Sequence, residues 1–501
     1  MTTSDEPATL IGSPLAGIRE PRRALTGKLG VGAIVFMVVA AAAPLTVVGG
    51  GFPVGVLLGN GVGAPSMYLV GGVILLFFAV GLSTMSSYLP RPGAFFTYVG
   101  YGLGRPLGLA AAYLALLCYT AVQVAVYGYL GQTLAGTVQS LHGPALPWWL
   151  YSLAAIVLVG VLGYRHIELS SKVLGVLLVA EVGIVVVLAA VIIGTGGPEG
   201  LSLAPFAPSN VLSGSPALGL MFALAGFIGF ESTAIFRDEA RNPEKTIPRA
   251  TYVAVIAIAV FYTFASWALV MGWGPGKLVK AVANNTAGFI METAQRYLGS
   301  GGEIAINVLL LTSLFACVLS FHNVVTRYQH SMANASVLPA KLGQVHDRHA
   351  SPHVSSLVQS ATALVLIVVF ALFRLDPVLQ VFTWFSGVST FAIVVLMALT
   401  CLAVIVYFAR KRVRAGAWRT WIAPAIGFLG LLAICWVIAT NFPLLIGDVD
   451  AKGSPVFGWL TTAFFAVMLA FPVIGLVQAA ILRRTRPERY DTIIDTISDA
   501  T

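Results

Sequence analysis

Charge is scarce in this sequence. Of its 501 residues 10% are Asp, Glu, Lys or Arg and 58% are hydrophobic, and the mean hydropathy is +0.89. A soluble globular protein carries about 25% charged residues, so the chain lacks the polar material to cover a water-facing surface of its size and reads as an integral membrane protein. Cysteine is scarce as well. Cys118, Cys317, Cys401 and Cys435 all fall in apolar stretches, where small thiols pack and a disulfide framework is not expected. The first 28 residues are polar and have no apolar core followed by a small-residue cleavage site, so a disordered tail is expected there and no signal peptide. Period-two alternation is missing too, which sets aside an outer-membrane barrel. Without a Gly-rich phosphate loop, a Ser-His-Asp constellation or an intramembrane metalloprotease motif, neither ATP-driven transport nor enzyme chemistry is expected.

What the chain does have is long apolar runs, and the fold class they imply is all-α. The runs lie near 31–55, 65–90, 106–138, 147–164, 170–194, 215–240, 249–272, 303–330, 354–373, 383–409, 420–440 and 456–482. Twelve spans at ~20 residues each take up roughly half the length, which leaves short loops and no room for a large soluble domain. If both termini face the cytoplasm, 24 of the 29 Lys and Arg fall in inside segments. The outside segments hold Lys277, Lys280, Arg296, Arg374 and Lys452. That asymmetry follows the positive-inside rule and predicts a multi-pass protein of the cytoplasmic membrane. It also accounts for the net charge of +9 as topology and attraction to anionic lipid, with no nucleic-acid partner required.

Two spans are unlike the rest. The first contains Ala40-Ala-Ala-Ala-Pro44-Leu-Thr46 and then Gly49-Gly-Gly51; the sixth contains Gly226-Phe-Ile-Gly229-Phe-Glu231. Pro44 removes a backbone donor, and the glycines lower the cost of leaving helical geometry. Irregular backbone at mid-membrane is tolerated where it is buried in protein or lines a cavity, and a pair of interrupted helices at equivalent positions of two halves points to a transporter binding site. The plainer alternative is close helix packing at small residues. Breaks five spans apart predict a five-plus-five inverted repeat: 29–200 and 201–415 as the two repeats, 416–482 as two additional helices, and cytoplasmic tails at 1–28 and 483–501.

Three ordered motifs resemble those of the amino acid, polyamine and organocation (APC) permeases, which share the LeuT-like fold. They are Leu89-Pro-Arg-Pro-Gly-Ala-Phe-Phe-Thr-Tyr98 with Gly104 and Gly108; Gly229-Phe-Glu231 running on to Asp238-Glu-Ala-Arg-Asn242-Pro-Glu-Lys-Thr-Ile-Pro248; and Asn323, Arg327, Tyr328, Met332 and Leu338-Pro339. The resemblance covers nearly the whole chain. It implies amide groups around Ala42, Ala43, Pro44, Leu45 and Thr46 holding a substrate carboxylate, and carbonyls around Gly226, Phe227, Ile228, Gly229 and Phe230 holding its ammonium, in line with the charge at half-helix ends. The chain departs from the family's Gly-Ser-Gly pattern in the first span, and Pro44 supplies one amide fewer. That departure keeps a polyamine substrate in view beside an amino acid.

Of the 20 acidic residues, Glu181 and Glu231 lie deep within spans, where a carboxylate costs on the order of 2.5–3.5 kcal/mol and usually serves a function. The resemblance implies a gating and pH-response role for Glu231; the plainer alternative is a structural hydrogen bond. Desolvation favours a neutral carboxyl, so Glu181 is expected to carry a proton, against the alternative of a structural pairing with a hydroxyl or a basic side chain. Sodium would need an oxygen cage, for which the eighth span offers Thr312, Ser313 and Ser320. Phe321 and Phe222 are candidate substrate contacts. Ala225 stands where arginine and agmatine exchangers carry a Trp, so guanidinium stacking is not expected. His346, His349 and His353 have ligand-like spacing but sit in a loop the family has without metal, so no metal or other cofactor is expected. The expected function is proton-coupled import of an amino acid by alternating access. An amino acid or polyamine exchanger is the rival, and a ligand sensor without flux is the alternative from another class.

Overall fold

Backbone amides far from water must be satisfied within their own segment, which leaves helices for apolar runs of this length. The computed structural model of the chain describes residues 29–89, 94–165, 171–231, 233, 240–347, 349, 351–411 and 416–498, and no strand occurs among them. The expected N-terminal tail and residues 90–93, 232 and 234–239 of the motifs lie outside the described residues. Nine helical stretches among the described residues are long and apolar enough to cross a membrane. The first, Val31–Ser86, is 56 residues long, enough for two crossings at ~20 residues each, and Trp148–Tyr164 and Pro216–Ala225 are shorter apolar helices. Each of the twelve expected spans therefore has a helical counterpart. Several helices begin with a proline at the first or second position, Pro65, Pro106 and Pro243 among them, where its missing amide would have had no partner.

The structure adds elements that the apolar runs do not mark. The helix Phe95–Leu103 precedes the third span, and Leu278–Asn284 follows the seventh. The eighth span belongs to a longer helix, Phe289–Asn334, kinked at Gly299. Within the stretch expected as a C-terminal tail, Pro487–Ser498 forms a helix that buries Tyr490, Ile493, Ile494 and Ile497. Their i, i+3, i+4, i+7 spacing makes one apolar stripe, laid against Phe95–Leu103, the third span and the eighth. Arg105 pairs with Asp491 at 3.1 Å, and the Tyr101 hydroxyl donates to Asp495.

Three buried glutamines tie the third, eighth and ninth spans together. Gln359 donates to Gln123 at 2.7 Å, Gln329 donates to Gln359 at 3.2 Å, and Gln123 donates to the Val318 carbonyl at 3.4 Å. Between helices in a lipid-like interior such bonds act as polar glue, each worth about 1 kcal/mol.

Candidate functional site

The first span stops being helical where its sequence requires it to. Proline disfavours α geometry in the residue before it, and Ala43 sits in the left-handed region at φ 46°, ψ 68°, an uncommon place for a non-glycine residue. Helix Val31–Ala41 ends there, and the chain restarts at Pro44. The Ala42 carbonyl accepts from the Tyr262 hydroxyl at 3.2 Å. Pro44 has no amide, and the Leu45 amide points to Glu181 Oε2 at 3.5 Å. The restart then runs through wide π turns over Val47–Gly51. A Cβ on Gly50 would stand 2.6 Å from the Tyr129 ring, so only glycine lets the third span approach this closely.

The sixth span loosens in a different way. After helix Pro216–Ala225, Gly226, Phe227, Ile228 and Phe230 donate to Ala223, Leu224, Ala225 and Phe227 at 3.0–3.2 Å. These are i→i+3 turns, in which carbonyls no longer point along a regular axis. Gly229 has φ 110°, open to glycine at no steric cost.

Between the two breaks lies a cavity in which the centre of a water-sized body has about 50 Å³ to move. The first span contributes Ala42, Ala43, Thr46, Val47 and Gly51, and the sixth contributes Phe222, Ala225, Gly226 and Ile228. The third span adds Val122 and Val126, the eighth Cys317 and Phe321, and the tenth Phe382 and Ser386. Seven of the expected substrate residues therefore meet at one place: Ala42, Ala43, Thr46, Phe222, Gly226, Ile228 and Phe321. Pro44, Leu45, Phe227, Gly229 and Phe230 do not line it. Phe227 turns to Tyr262, with ring centroids 6.5 Å apart, and Phe230 turns to Phe78 at 5.8 Å. The walls from the third and tenth spans were not marked in the sequence, because valines and a phenylalanine in an apolar helix carry no signal that separates a cavity wall from packing.

Neither deep acid lines the cavity; each stands one layer behind it. Glu181, 5% exposed, accepts from the Ser313 hydroxyl at 2.9 Å and from the Leu45 amide. Ser313 in turn lies 3.2 Å from the hydroxyl of Thr46, which does line the cavity. Glu231, 6% exposed, accepts from the Tyr119 hydroxyl at 2.7 Å and from the Gly229 amide at 2.8 Å. The Tyr119 ring stacks on cavity-lining Phe321 at 6.1 Å. Both carboxylates thus cap an amide at a helix break, the charge that a half-helix start favours, and each reaches the cavity through one intervening side chain.

Of the hydroxyls weighed for sodium, Ser313 is engaged with Glu181, Thr312 donates to its own backbone at Leu309, 2.9 Å away, and Ser320 is exposed. The histidines of the loop gather around Tyr164, with ring centroids 5.3 Å away for His346, 6.4 Å for His349 and 5.8 Å for His353. No group of three His, Cys, Asp or Glu among the described residues is placed to hold a metal ion. The four cysteines are free thiols, three of them buried.

A bundle with two facing interrupted helices and a small cavity between them is the architecture of a membrane permease, and comparison with known proteins agrees. Residues 34–490 match the amino acid permease family. The chain belongs to that family, within the APC superfamily, whose members are transporters and not enzymes. Its relatives include the serine/threonine exchanger SteT of Bacillus subtilis, 25% identical over 78% of this chain and 84% of that protein. The branched-chain amino acid permease BcaP of Lactococcus lactis is 24% identical over 77% of this chain and 84% of its own length. The low-affinity putrescine importer PlaP of Escherichia coli is 21% identical over 60% and 66%.

Proposed function

We propose that this permease imports a neutral amino acid across the cytoplasmic membrane together with a proton, with both termini inside and the repeats 29–200 and 201–415 rocking about the cavity. The observation that carries the reading is the line Thr46, Ser313, Glu181. It joins a cavity-lining hydroxyl to a buried carboxyl through contacts of 3.2 and 2.9 Å. A carboxylate binds its donors through charge-assisted bonds roughly twice as strong as neutral ones. Protonating Glu181 weakens its hold on the Leu45 amide and Ser313, so the proton is felt at the first break, where the substrate sits. Thr312 and Ser320 form no oxygen cage with Ser313, which favours the proton over sodium.

The amino acid has complementary handles. Among the described residues no backbone carbonyl takes the amides of Ala43 or Thr46, and these would receive the substrate carboxylate. The carbonyls of the tightened turn at Gly226 and Ile228 would receive its ammonium, and Phe321 and Phe222 close the sides. Glu231, held by Tyr119 behind Phe321, would act as the gate. The similarity to an exchanger supports a second reading, in which inward movement of one substrate requires outward movement of another.

Uptake of a labelled amino acid mixture into liposomes carrying the purified protein separates these readings. Accumulation in empty liposomes under an inward proton gradient is expected, with no response to a sodium gradient, and Glu181→Gln is expected to abolish the proton dependence. Flux that appears only into preloaded liposomes establishes the exchanger. Unchanged pH dependence in Glu181→Gln removes the proton role of that residue, and binding without any flux points to a sensor.

A further inference from the structure

Resting on the permease reading, we infer that the cavity selects an amino acid with a compact aliphatic side chain, and that Val122 and Val126 set the upper limit on its size. Three observations support this. First, none of the fifteen residues lining the cavity is charged, and the two deep acids stand behind the lining with their oxygens already engaged. A substrate bearing a charged side chain, or a diamine with its second ammonium, would bury that charge unpaired, a cost of several kcal/mol.

Second, the space is small. The 50 Å³ in which the centre of a water-sized body can move is about a third of the ~150 Å³ of an engineered apolar cavity that takes up benzene, so the space favours a short aliphatic side chain over an aromatic one. Third, Val122 and Val126 are four residues apart on one helix, so their branched side chains share a face. Both line the cavity together with Ala225, Gly226 and Ile228 of the sixth span, so a substrate whose ammonium is held at the sixth span shares the cavity with these two branched side chains. A hydrophobic pocket distinguishes side chains that differ by one methylene by only about 1–3 kcal/mol, so neighbouring aliphatic substrates are accepted together.

Cys317 lines the same cavity and offers a reporter that does not depend on transport. In protein carrying Cys118→Ala, Cys401→Ala and Cys435→Ala, the rate at which methyl methanethiosulfonate modifies Cys317 is measured with each common amino acid and with putrescine. Valine, leucine, isoleucine and alanine are expected to slow the reaction in a concentration-dependent way. Aspartate, glutamate, lysine, arginine and putrescine are expected to need at least hundredfold higher concentrations. Val126→Ala is expected to improve protection by phenylalanine at least tenfold while valine still protects. Best protection by a charged amino acid or by putrescine overturns the inference and leaves the permease reading standing. Absence of protection together with absence of uptake of any amino acid overturns the permease reading itself. If Cys317 resists the reagent, ligand-dependent thermal stabilisation on the same panel decides, and stabilisation by charged ligands over aliphatic ones again refutes the selection.

Discussion

Tyr119→Phe deletes one oxygen from a buried ring and leaves the rest of its surroundings in place. The stack on Phe321 is retained, and the substitution removes the hydroxyl's bond to Glu231 at 2.7 Å along with its interaction with the neighbouring Tyr328, so the Glu231 share is read from a comparison of two backgrounds. With Glu231 ionised, losing a hydrogen bond to a buried charged group costs about 1.5–3 kcal/mol. An unfolding entropy of ~2.1 cal/mol/K per residue gives a chain of this length roughly 1 °C per kcal/mol, so the melting midpoint is expected to fall by about 1.5–3 °C. In a Glu231→Gln background the same hydroxyl donates to a neutral amide oxygen worth about 0.5–1.5 kcal/mol, and the drop is expected to be about half as large. The assay is thermal unfolding of the detergent-solubilised protein followed by tryptophan fluorescence, run as a double-mutant cycle. Equal drops in the two backgrounds, or no drop in either, would show that Tyr119 does not hold Glu231 and that the link from Phe321 to the sixth-span break does not exist.

Four further outcomes are expected. Ser313→Ala removes the bridge between Thr46 and Glu181, and proton-driven uptake should fall about tenfold, as expected for ~1.4 kcal/mol, while protein abundance in the membrane is unchanged. Gly50→Ala puts a methyl 2.6 Å from the Tyr129 ring and 3.2 Å from Phe382, a clash against two buried rings that should cost about 1–3 kcal/mol, read as a lower melting midpoint and as weakened substrate binding. Ile497→Asp places a charge on the buried stripe of the last helix and should release that helix, read as faster tryptic cleavage at Arg486 and Arg489. Arg105→Ala removes an exposed ion pair worth about 0–1 kcal/mol, a bond to the Asp491 carbonyl and a stack over Tyr490, and should speed cleavage less than Ile497→Asp does.

The spans were legible because each is a long apolar run bounded by charge or by a turn residue, and such a run has one structural solution in a membrane. The breaks were legible for a related reason: Pro44 disfavours helical geometry in the residue before it, and Gly229 admits a positive φ that other residues resist. The helix Pro487–Ser498 was not legible as a packed element. Its charge density matches a solvated tail, and its stripe of Tyr490, Ile493, Ile494 and Ile497 acquires meaning only when the groove beside Phe95–Leu103 receives it. The start of the eighth helix at Phe289 was hidden likewise, because its first turns are polar and the kink at Gly299 separates them from the apolar run.

The site was legible in its chemistry and less so in its layering. Glu181 and Glu231 stood out because acids at that depth are costly, yet both stand behind the cavity, each capping an amide that its helix break has freed. That arrangement follows from the breaks themselves. An unwound helix in a dry interior leaves donors without acceptors, and an acceptor-only side chain from a neighbouring or adjacent segment satisfies them at the favoured charge. The two breaks differ in how they leave the helix, by a proline and a left-handed alanine in one and by glycine turns in the other, and each still has a carboxylate as its cap. Once the capping oxygens are committed, the lining that remains is apolar, with hydroxyls at Thr46 and Ser386 and a thiol at Cys317. The same two acids that make the breaks tolerable therefore keep charge out of the pocket. A substitution that pulled either carboxylate forward into the cavity would change which substrates bind before it changed the fold.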